Sequence, residues 1–241
     1  MKLSVIIPVY NEEKTITEIL SKVLSVRLNK DIEKEIIVIN DASTDNSGIK
    51  LERYLAGKKV KKVFKILRHG VNKGKGAAIQ TGLKSATGDI ILIQDADLEY
   101  DPNDYPRLLQ PILDKQTKVV YGSRLKHYPL RFFGKGRTPL VSHYLGNKFL
   151  TLITNILYGH RITDMETCYK VFSKEALRGI QINARRFDIE PEITAKVLKR
   201  GFGILEIPIK VKPRGYDEGK KISWKDGFIA VWTLFKYRFT D

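Results

Sequence analysis

Cysteine is almost absent from this sequence, and long apolar runs are missing. The one cysteine among 241 residues, Cys168, cannot close an internal disulfide, which fits a reducing, cytoplasmic compartment. The most apolar window of the second half, FLTLITNILY (149–158), is too short to span a bilayer. The chain opens on a strand-like run, LSVIIPV, rather than on the pattern of a signal peptide, so we expect no secretion signal.

Acidic residues are missing from one long stretch of a chain whose net charge is +16. No Asp or Glu lies between Asp114 and Asp164. The cations in this gap are Lys115, Lys118, Arg124, Lys126, Arg131, Lys135, Arg137, Lys148 and Arg161. Because a solvated surface usually mixes both signs, the gap indicates an anionic partner, which could be a phosphate, a lipid surface or a nucleic acid.

The first 122 residues alternate between short apolar runs and helical patterns. The runs are rich in β-branched residues, and they predict strands at 3–9, 35–40, 63–67, 89–94 and 118–122. Helices are predicted near 13–26, 44–57, 74–86 and 103–114. This alternation predicts an α/β fold with a mostly parallel central sheet flanked by helices, with ligands bound beyond the carboxyl ends of the strands.

The second half is less regular. It predicts a cation-rich mobile loop at 123–138, a helix at 140–158, a strand at 168–172, a helix near 190–200 and a strand at 203–211. The tail at 224–239 mixes large apolar and basic residues. It is typical either of a helix that packs on the core or of a helix that lies at a membrane interface.

Carboxylates occupy alternate positions directly after the fourth predicted strand, in IQDADLEYDP (93–102). If the chain stays extended past Gln94, the side chains of Asp95, Asp97 and Glu99 point the same way. Such a row is costly unless a cation neutralises it, and hard oxygen ligands favour Mg²⁺ or Mn²⁺. The bland alternative is a solvated acidic turn, and Asp101 before Pro102 indicates only a helix start.

Two other segments follow strands or open a helix. NDASTDNS (40–47) supplies helix caps, but Asp41 is not needed for capping and could accept hydrogen bonds from a base or a ribose. HGVNKGKGAAIQTG (69–82) matches neither of the two common phosphate-binding patterns. The Walker pattern requires glycine where Lys75 stands, and the dinucleotide pattern requires glycine or alanine where Ile79 stands. Its glycines suit a tight turn, although a helix start bearing Lys73 and Lys75 could still hold a phosphate or nucleotide.

Taken in order, PVYNEE, NDASTDNS, NKGKGAA, QDADLE and GSR (122–124) resemble the inverting family 2 glycosyltransferases, which have a nucleotide-diphospho-sugar-binding fold of the GT-A type. DADLEYDP, SHYLGN (142–147), DMETCYKVF (164–172), RFDIEPE (186–192) and EIPIKVKPRG (206–215) are similar to the polyprenyl- and dolichyl-phosphate mannose or glucose synthases of that family. Two features depart from the family: Cys168 stands where glycine is usual, and the transmembrane helices that often follow the catalytic part are missing here. We expect a GT-A catalytic domain over 1–215 and an amphipathic tail over 216–241 that either packs on the core or lies at a membrane interface.

The resemblance also implies roles for single residues. Those expected to hold the nucleoside are Pro8, Tyr10, Glu12 and Asp41. Lys75 is expected at the donor phosphate or nucleotide because of its place at a predicted helix start, and not because of the resemblance. The expected metal ligands are Asp95, Asp97 and Glu99, where relatives often have Gln in place of the glutamate. The residues expected at the lipid phosphate are Arg124, Arg137 and Ser142.

The activity implied is metal-dependent, inverting transfer of a hexose from a UDP- or GDP-sugar to a polyprenyl phosphate, with the enzyme peripheral on the inner face of the membrane. A phosphate acceptor is largely a dianion at neutral pH, so it can attack without a base. The cations Arg214, Lys220 and Lys221 could close over the donor diphosphate, while Asp164, Asp188 and Glu190 orient sugar hydroxyls or cations. If the acceptor were instead a hydroxyl, as in polysaccharide synthesis, one of these three would be the base.

A nucleic-acid-binding module is the remote alternative, because it explains the charge but not the carboxylate row. A membrane-protein partner or a homo-oligomer is also compatible with the sequence.

Overall fold

A seven-stranded sheet forms the centre of the computed structural model, which describes residues 1–56, 61–126, 141–212 and 224–240. The strands are β1 (Lys2–Val9), β2 (Glu33–Asn40), β3 (Phe64–Arg68), β4 (Ile90–Ile93), β5 (Val119–Ser123), β6 (Lys170–Ser173) and β7 (Ile204–Pro208). Their order is β3-β2-β1-β4-β6-β5-β7. In the sheet of the described residues, only β6 runs antiparallel to its neighbours.

Helices cover the sheet. In the described ranges they are α1 (Ile16–Ser25), α2 (Ser47–Ala56), α3 (Lys75–Ser85), α4 (Tyr105–Leu113), α5 (Val141–Tyr158), α6 (Lys174–Leu177), α7 (Ile189–Lys199) and α8 (Trp224–Phe239). Short 3-10 turns lie at Lys61–Val63 and Pro102–Asp104. No helix in the described part of the chain is long and apolar enough to cross a membrane.

The predicted α/β fold is confirmed, because the five predicted strands of the first half form β1 to β5 and all run parallel. Two later strands are shorter than expected. The strand predicted at 168–172 begins at Lys170, because its N–H turns back to the carbonyl of Cys168. The strand predicted at 203–211 ends at Pro208, which has no N–H to donate to a ladder. Most of the predicted loop at 123–138 lies outside the described residues.

Helix α8 packs on the core. Its Ala230, Leu234 and Tyr237 are buried in the cluster that also contains Leu150 of α5 and Ile193 of α7. One face of the tail helix therefore packs on the core, which was one of the two alternatives expected for it. The other alternative was a helix at a membrane interface. The expected boundary near residue 215 falls between 213 and 223, outside the described residues.

Candidate active site

The segments that follow β1 and β2 meet at the carboxyl edge of the sheet, as predicted. The side-chain carbonyl of Asn11 accepts from the N–H of Thr44 at 2.8 Å, and the N–H of Asn11 donates to Ser43 Oγ at 3.1 Å. The N–H of Glu12 donates to Ser47 Oγ at 2.7 Å. The chain reaches this arrangement because Asn11 adopts a left-handed conformation, with φ of 53°, which Asn tolerates better than most residues.

The residues expected to hold the nucleoside lie at this edge. Pro8, near the end of β1, and Tyr10, just beyond it, are half-buried. Glu12 is buried, and one of its carboxylate oxygens accepts from Thr15 Oγ1 at 3.0 Å. Their contact with a nucleoside remains a prediction.

Asp41 organises the loop beside it. Its buried carboxylate accepts from the N–H groups of Lys73 at 2.9 Å and Gly74 at 2.7 Å, and it pairs with His69 Nδ1 at 2.6 Å. The other ring nitrogen of His69 lies 2.9 Å from Thr81 Oγ1. Asp41 therefore has a structural task that the sequence did not indicate: it fixes the turn that leads into α3.

The glycines around Lys75 serve close packing. Gly74 has a φ of +91°, and a Cβ on it would collide with the carbonyl oxygen of Arg185. A Cβ on Gly76 would collide with the carbonyl oxygen of Ala184, and the N–H of Ala77 donates to Arg185 O at 3.3 Å. The start of α3 thus abuts the chain just before α7, and this packing accounts for the two glycines without a phosphate.

Lys75 points into a group of acidic side chains. Its Nζ lies 2.9 Å and 3.0 Å from the two carboxylate oxygens of Asp95, 3.1 Å from Glu190 Oε1 and 3.3 Å from Cys168 Sγ. Burial by itself would lower the pKa of this ammonium, but Asp95, Cys168 and Glu190 together raise the pKa well above its usual value. Lys75 is therefore a charged link between β4, α3 and α7.

Glu190 joins this link to a second buried cation, Lys170, which sequence reasoning missed. Lys170 Nζ lies 2.5 Å from Glu190 Oε2 and donates to the carbonyl oxygens of Met165, at 3.0 Å, and Thr167. The only signal for Lys170 was a lysine inside an apolar strand pattern, CYKVF. Such a lysine needs a buried partner, and Glu190 in the first turn of α7 supplies it.

Arg124 and Asp164 form the second ion pair of the site. Arg124 Nε and Nη2 donate to the two carboxylate oxygens of Asp164, both at 2.8 Å, and the N–H of Arg124 adds a third bond at 2.8 Å. Asp164 is fully buried, and its own N–H donates to Glu206 at 3.0 Å. Asp164 was expected to orient either sugar hydroxyls or a cation. The structure shows it bound to a cation, the guanidinium of Arg124.

The carboxylate row does not stay extended. Residues 96–97 form a turn and Leu98 has a φ of 64°, so the same-side argument for Asp95, Asp97 and Glu99 is wrong in its premise. Asp97 instead accepts from the N–H of Glu99 at 3.1 Å. The expectation for Asp101 is confirmed, because its side chain accepts from the N–H of Asn103 at the start of a 3-10 turn.

A metal site made by the protein alone is not seen. In the described ranges, no three His, Cys, Asp or Glu side chains lie together as a set that could hold an ion. Mg²⁺, however, is usually bound through one or two carboxylates plus phosphate oxygens of the substrate. Carboxylate donors at the end of β4 suit a site of that kind, completed by a diphosphate.

Glu166 is a further residue that sequence reasoning missed. Its Oε1 is buried and has no hydrogen-bond partner among the residues described. Burial, reinforced by the nearby Glu190, raises the pKa of this carboxyl to about 7, although Lys170 and Arg124 oppose the shift. The sequence gave no sign of this, because Glu166 lies in an ordinary-looking turn between Asp164 and Cys168.

The remaining predicted residues are less informative. Ser142 is exposed at the start of α5, and Asp188 accepts from the N–H of Arg186 at 2.8 Å just before α7. Four predicted cations lie outside the described residues: Arg137, Arg214, Lys220 and Lys221.

A parallel α/β sheet with polar loops and acidic side chains at one carboxyl edge is the architecture of the GT-A glycosyltransferases. The model of the family "Glycosyl transferase family 2" matches residues 4–180, so the chain belongs to that family and is a glycosyltransferase.

Curated relatives extend the likeness over most of the chain. A UDP-N-acetylglucosamine–dolichyl-phosphate N-acetylglucosaminyltransferase of Methanococcus voltae is 32% identical over 95% of this chain and 93% of its own length. A dolichyl-phosphate β-glucosyltransferase of Trichomonas vaginalis is 33% identical over 86% of this chain and 65% of its own. A dolichol-phosphate mannosyltransferase of Pyrococcus furiosus is 27% identical over 91% of this chain and 59% of its own.

Solved structures share the fold. The glucosyl-3-phosphoglycerate synthase of Mycobacterium tuberculosis, in complex with UDP, superposes with a TM-score of 0.73 over 100% of this chain and 81% of that one, at 18% identity. Another structure of that enzyme contains Mn²⁺, UDP-glucose and phosphoglyceric acid.

Proposed function

We propose that this glycosyltransferase transfers a hexose, with inversion, from a nucleoside-diphosphate sugar to a polyprenyl phosphate of the dolichyl type. One observation carries the proposal. Three relatives that match at least 86% of the chain are named for N-acetylglucosamine, glucose and mannose, yet all three are named for the same lipid phosphate. The acceptor class is therefore the property that they share, whereas the sugar varies among them.

The polar contacts of the site suit a phosphate acceptor better than a hydroxyl. A hydroxyl requires a general base, and the expected candidates were Asp164, Asp188 and Glu190. Asp164 is bonded to Arg124, Glu190 to Lys75 and Lys170, and Asp188 to a backbone N–H. A phosphate monoester, whose second pKa is about 6, is mostly a dianion at neutral pH and needs no base.

The chain's own groups would then bind and orient two anions. Arg124 presents five N–H donors, so its pairing with Asp164 fixes the guanidinium without exhausting it. A guanidinium held in this way is pre-organised for the acceptor phosphate, with Ser142 and Arg137 as further proposed contacts. The cations Arg214, Lys220 and Lys221 are proposed to cover the donor diphosphate.

The donor end is proposed to include a divalent ion. Asp95, with Asp97 or Glu99, would hold Mg²⁺ or Mn²⁺ together with oxygens of the diphosphate. Such an ion, when bound, stabilises the negative charge that develops on a leaving diphosphate. Lys75 holds the Asp95 carboxylate in place through its two contacts of 2.9 and 3.0 Å. Pro8, Tyr10, Glu12 and Asp41 are proposed to surround the nucleoside.

Transfer of radiolabel from nucleotide sugars to an organic-extractable polyprenyl phosphate tests this proposal. We expect label in the organic phase with one donor, and we expect Asp95→Asn to reduce it by about a hundredfold, the scale on which loss of one electrostatic group acts in an active site. The matched control is Asp101→Asn, in the same loop, whose carboxylate only starts a turn and whose loss should leave transfer nearly unchanged. No label in the lipid with every common donor would refute the proposed acceptor.

A further inference from the structure

Helices α5 and α8 each carry a stripe of large apolar side chains that faces outward. The stripe of α5 is Leu145, Phe149, Leu152 and Ile156, and that of α8 is Phe228, Trp232, Phe235 and Phe239, with Ile229 beside it. In both helices the side chains recur at i, i+4, i+7 and i+11, so each set lies along one helix face. These nine side chains are between 43% and 79% exposed.

The two stripes lie side by side. The opposite faces of the helices are buried in one cluster, through Leu150 on α5 and through Ala230 and Leu234 on α8. The helices also contact each other directly, because the hydroxyl of Tyr158 donates to the carbonyl of Leu234 at 2.7 Å. The nine outward side chains therefore form one surface, which we call the α5–α8 apolar face. A surface of this kind on a soluble protein marks an interaction site.

The charges of the two helices indicate what covers this face. Helix α5 contains no acidic residue and carries Lys148, and the last turn of α8 carries Lys236 and Arg238. Asp226 in the first turn is the single acidic residue of α8. An apolar stripe with large aromatic residues and flanking cations matches the composition of helices that lie in the interface of an anionic bilayer.

A second copy of this chain is a poorer match for the same face. Each copy carries a net charge of +16 and the same cations beside the apolar stripes. Pairing two such faces would bring like charges together, whereas anionic headgroups would neutralise them.

We propose that the α5–α8 apolar face is the surface by which this chain binds an anionic lipid bilayer, with both helices lying in the plane of the membrane. This inference does not need the proposed acceptor, because it depends on exposure and charge alone. The inference agrees with the proposed acceptor, since the phosphate of a polyprenyl phosphate lies at the surface of the bilayer to which this face would bind.

Binding to vesicles that contain neither polyprenyl phosphate nor nucleotide sugar tests the inference apart from the proposed function. We expect the protein to sediment with vesicles of phosphatidylcholine and phosphatidylglycerol, and to bind more weakly to phosphatidylcholine alone or at high salt. Because burial of one large apolar side chain contributes about 1.5–3 kcal/mol, the loss of two in Phe149→Ser with Trp232→Ser should weaken binding by at least about a hundredfold. Ile49→Ser removes an exposed apolar side chain on α2, which belongs to neither stripe, and should have no effect.

A second measurement leaves the nine side chains of the α5–α8 apolar face unchanged. Trp224→Phe leaves Trp232 as the only tryptophan, so its fluorescence reports on α8. We expect a blue shift when anionic vesicles are added. No shift, or equal vesicle binding by the double serine variant and the wild type, would overturn the inference. The inference would also be overturned if the wild type sedimented as a dimer and did not bind vesicles, while the double serine variant sedimented as a monomer.

Discussion

At the scale of single residues, the site is defined by charges that are buried together. Lys75 and Lys170 share Glu190, and Arg124 is held by Asp164. A buried ion pair adds little net stability compared with apolar packing, but the loss of one partner leaves the other as an unpaired buried charge. The value of these pairs is therefore positional: they hold carboxylates and cations at defined points around the end of β4.

Glu166 lies among these pairs, and its raised pKa has a consequence for stability. The carboxyl has a pKa of about 7 in the folded chain and near 4.5 when unfolded, so the folded state binds its proton more tightly between these values. The contribution of Glu166 to stability therefore falls as the pH rises through this window. Glu166→Gln removes this titration, so the variant should not lose the stability that the wild type loses as the pH rises. We therefore expect the melting temperature of the variant, relative to that of the wild type, to be higher at about pH 8 than at about pH 5.

Thermal unfolding followed by circular dichroism across this pH range is the measurement. Glu175→Gln is the control, because Glu175 is exposed and its pKa is lowered by Lys118, so it should show no such increase. A difference between Glu166→Gln and the wild type that is constant with pH would contradict the assignment.

At the scale of elements, α8 has two faces with separate tasks. Its inner face closes a core cluster with α5 and α7, while its outer face carries the exposed aromatic stripe. The apolar content of the tail could not distinguish these tasks, since both packing and interfacial helices are rich in large apolar residues.

Neighbouring substitutions on α8 should separate the two faces. Leu234 is fully buried, so Leu234→Ala should lower the free energy of unfolding by about 2–5 kcal/mol. Phe235 follows it but is 43% exposed, so Phe235→Ala should lower the free energy of unfolding by only about 1 kcal/mol. Urea denaturation measures both, and equal losses for the two variants would show that α8 is oriented differently.

At the scale of the whole molecule, opposite charges are separated between regions. The acidic side chains of the site gather near β4 and α7, whereas the stretch between Asp114 and Asp164 and the helices α5 and α8 are mostly basic. This separation suits the proposed activity, in which a divalent cation would bind an anionic donor at one region and an anionic acceptor would bind at another.

Nucleoside diphosphates should therefore stabilise the whole domain in the presence of Mn²⁺. The Methanococcus voltae relative, matched over more than nine tenths of both chains, is named for a UDP-sugar. We expect UDP with Mn²⁺ to raise the melting temperature more than GDP with Mn²⁺, with about 2.7 kcal/mol of stabilisation at a hundredfold excess over Kd. Thermal-shift measurements with each nucleotide, with and without the ion, provide the check. Stabilisation by GDP and not by UDP would contradict the expectation and favour a mannose-type donor.

The sequence by itself determined the strands, their parallel arrangement and the edge at which the loops converge. Local patterns suffice for this, since β-branched runs and helical periodicity depend on nearby residues only. The motifs after β1, β2 and β4 were also sufficient to indicate the family. The sequence misled at the carboxylate row, because the alternation argument assumed an extended chain, whereas residues 96–97 form a turn.

Only the tertiary structure decided which charges meet. Lys75 and Glu190 are 115 positions apart in the chain, and no local pattern relates them. The same holds for Asp41 and the Lys73–Gly74 turn, and for Glu166 among the ion pairs. Tertiary structure also revealed that the stripes of α5 and α8 form one surface. The physical reason is common to all four: burial and pairing depend on neighbours that the fold brings together, and these determine the charge and exposure of each group.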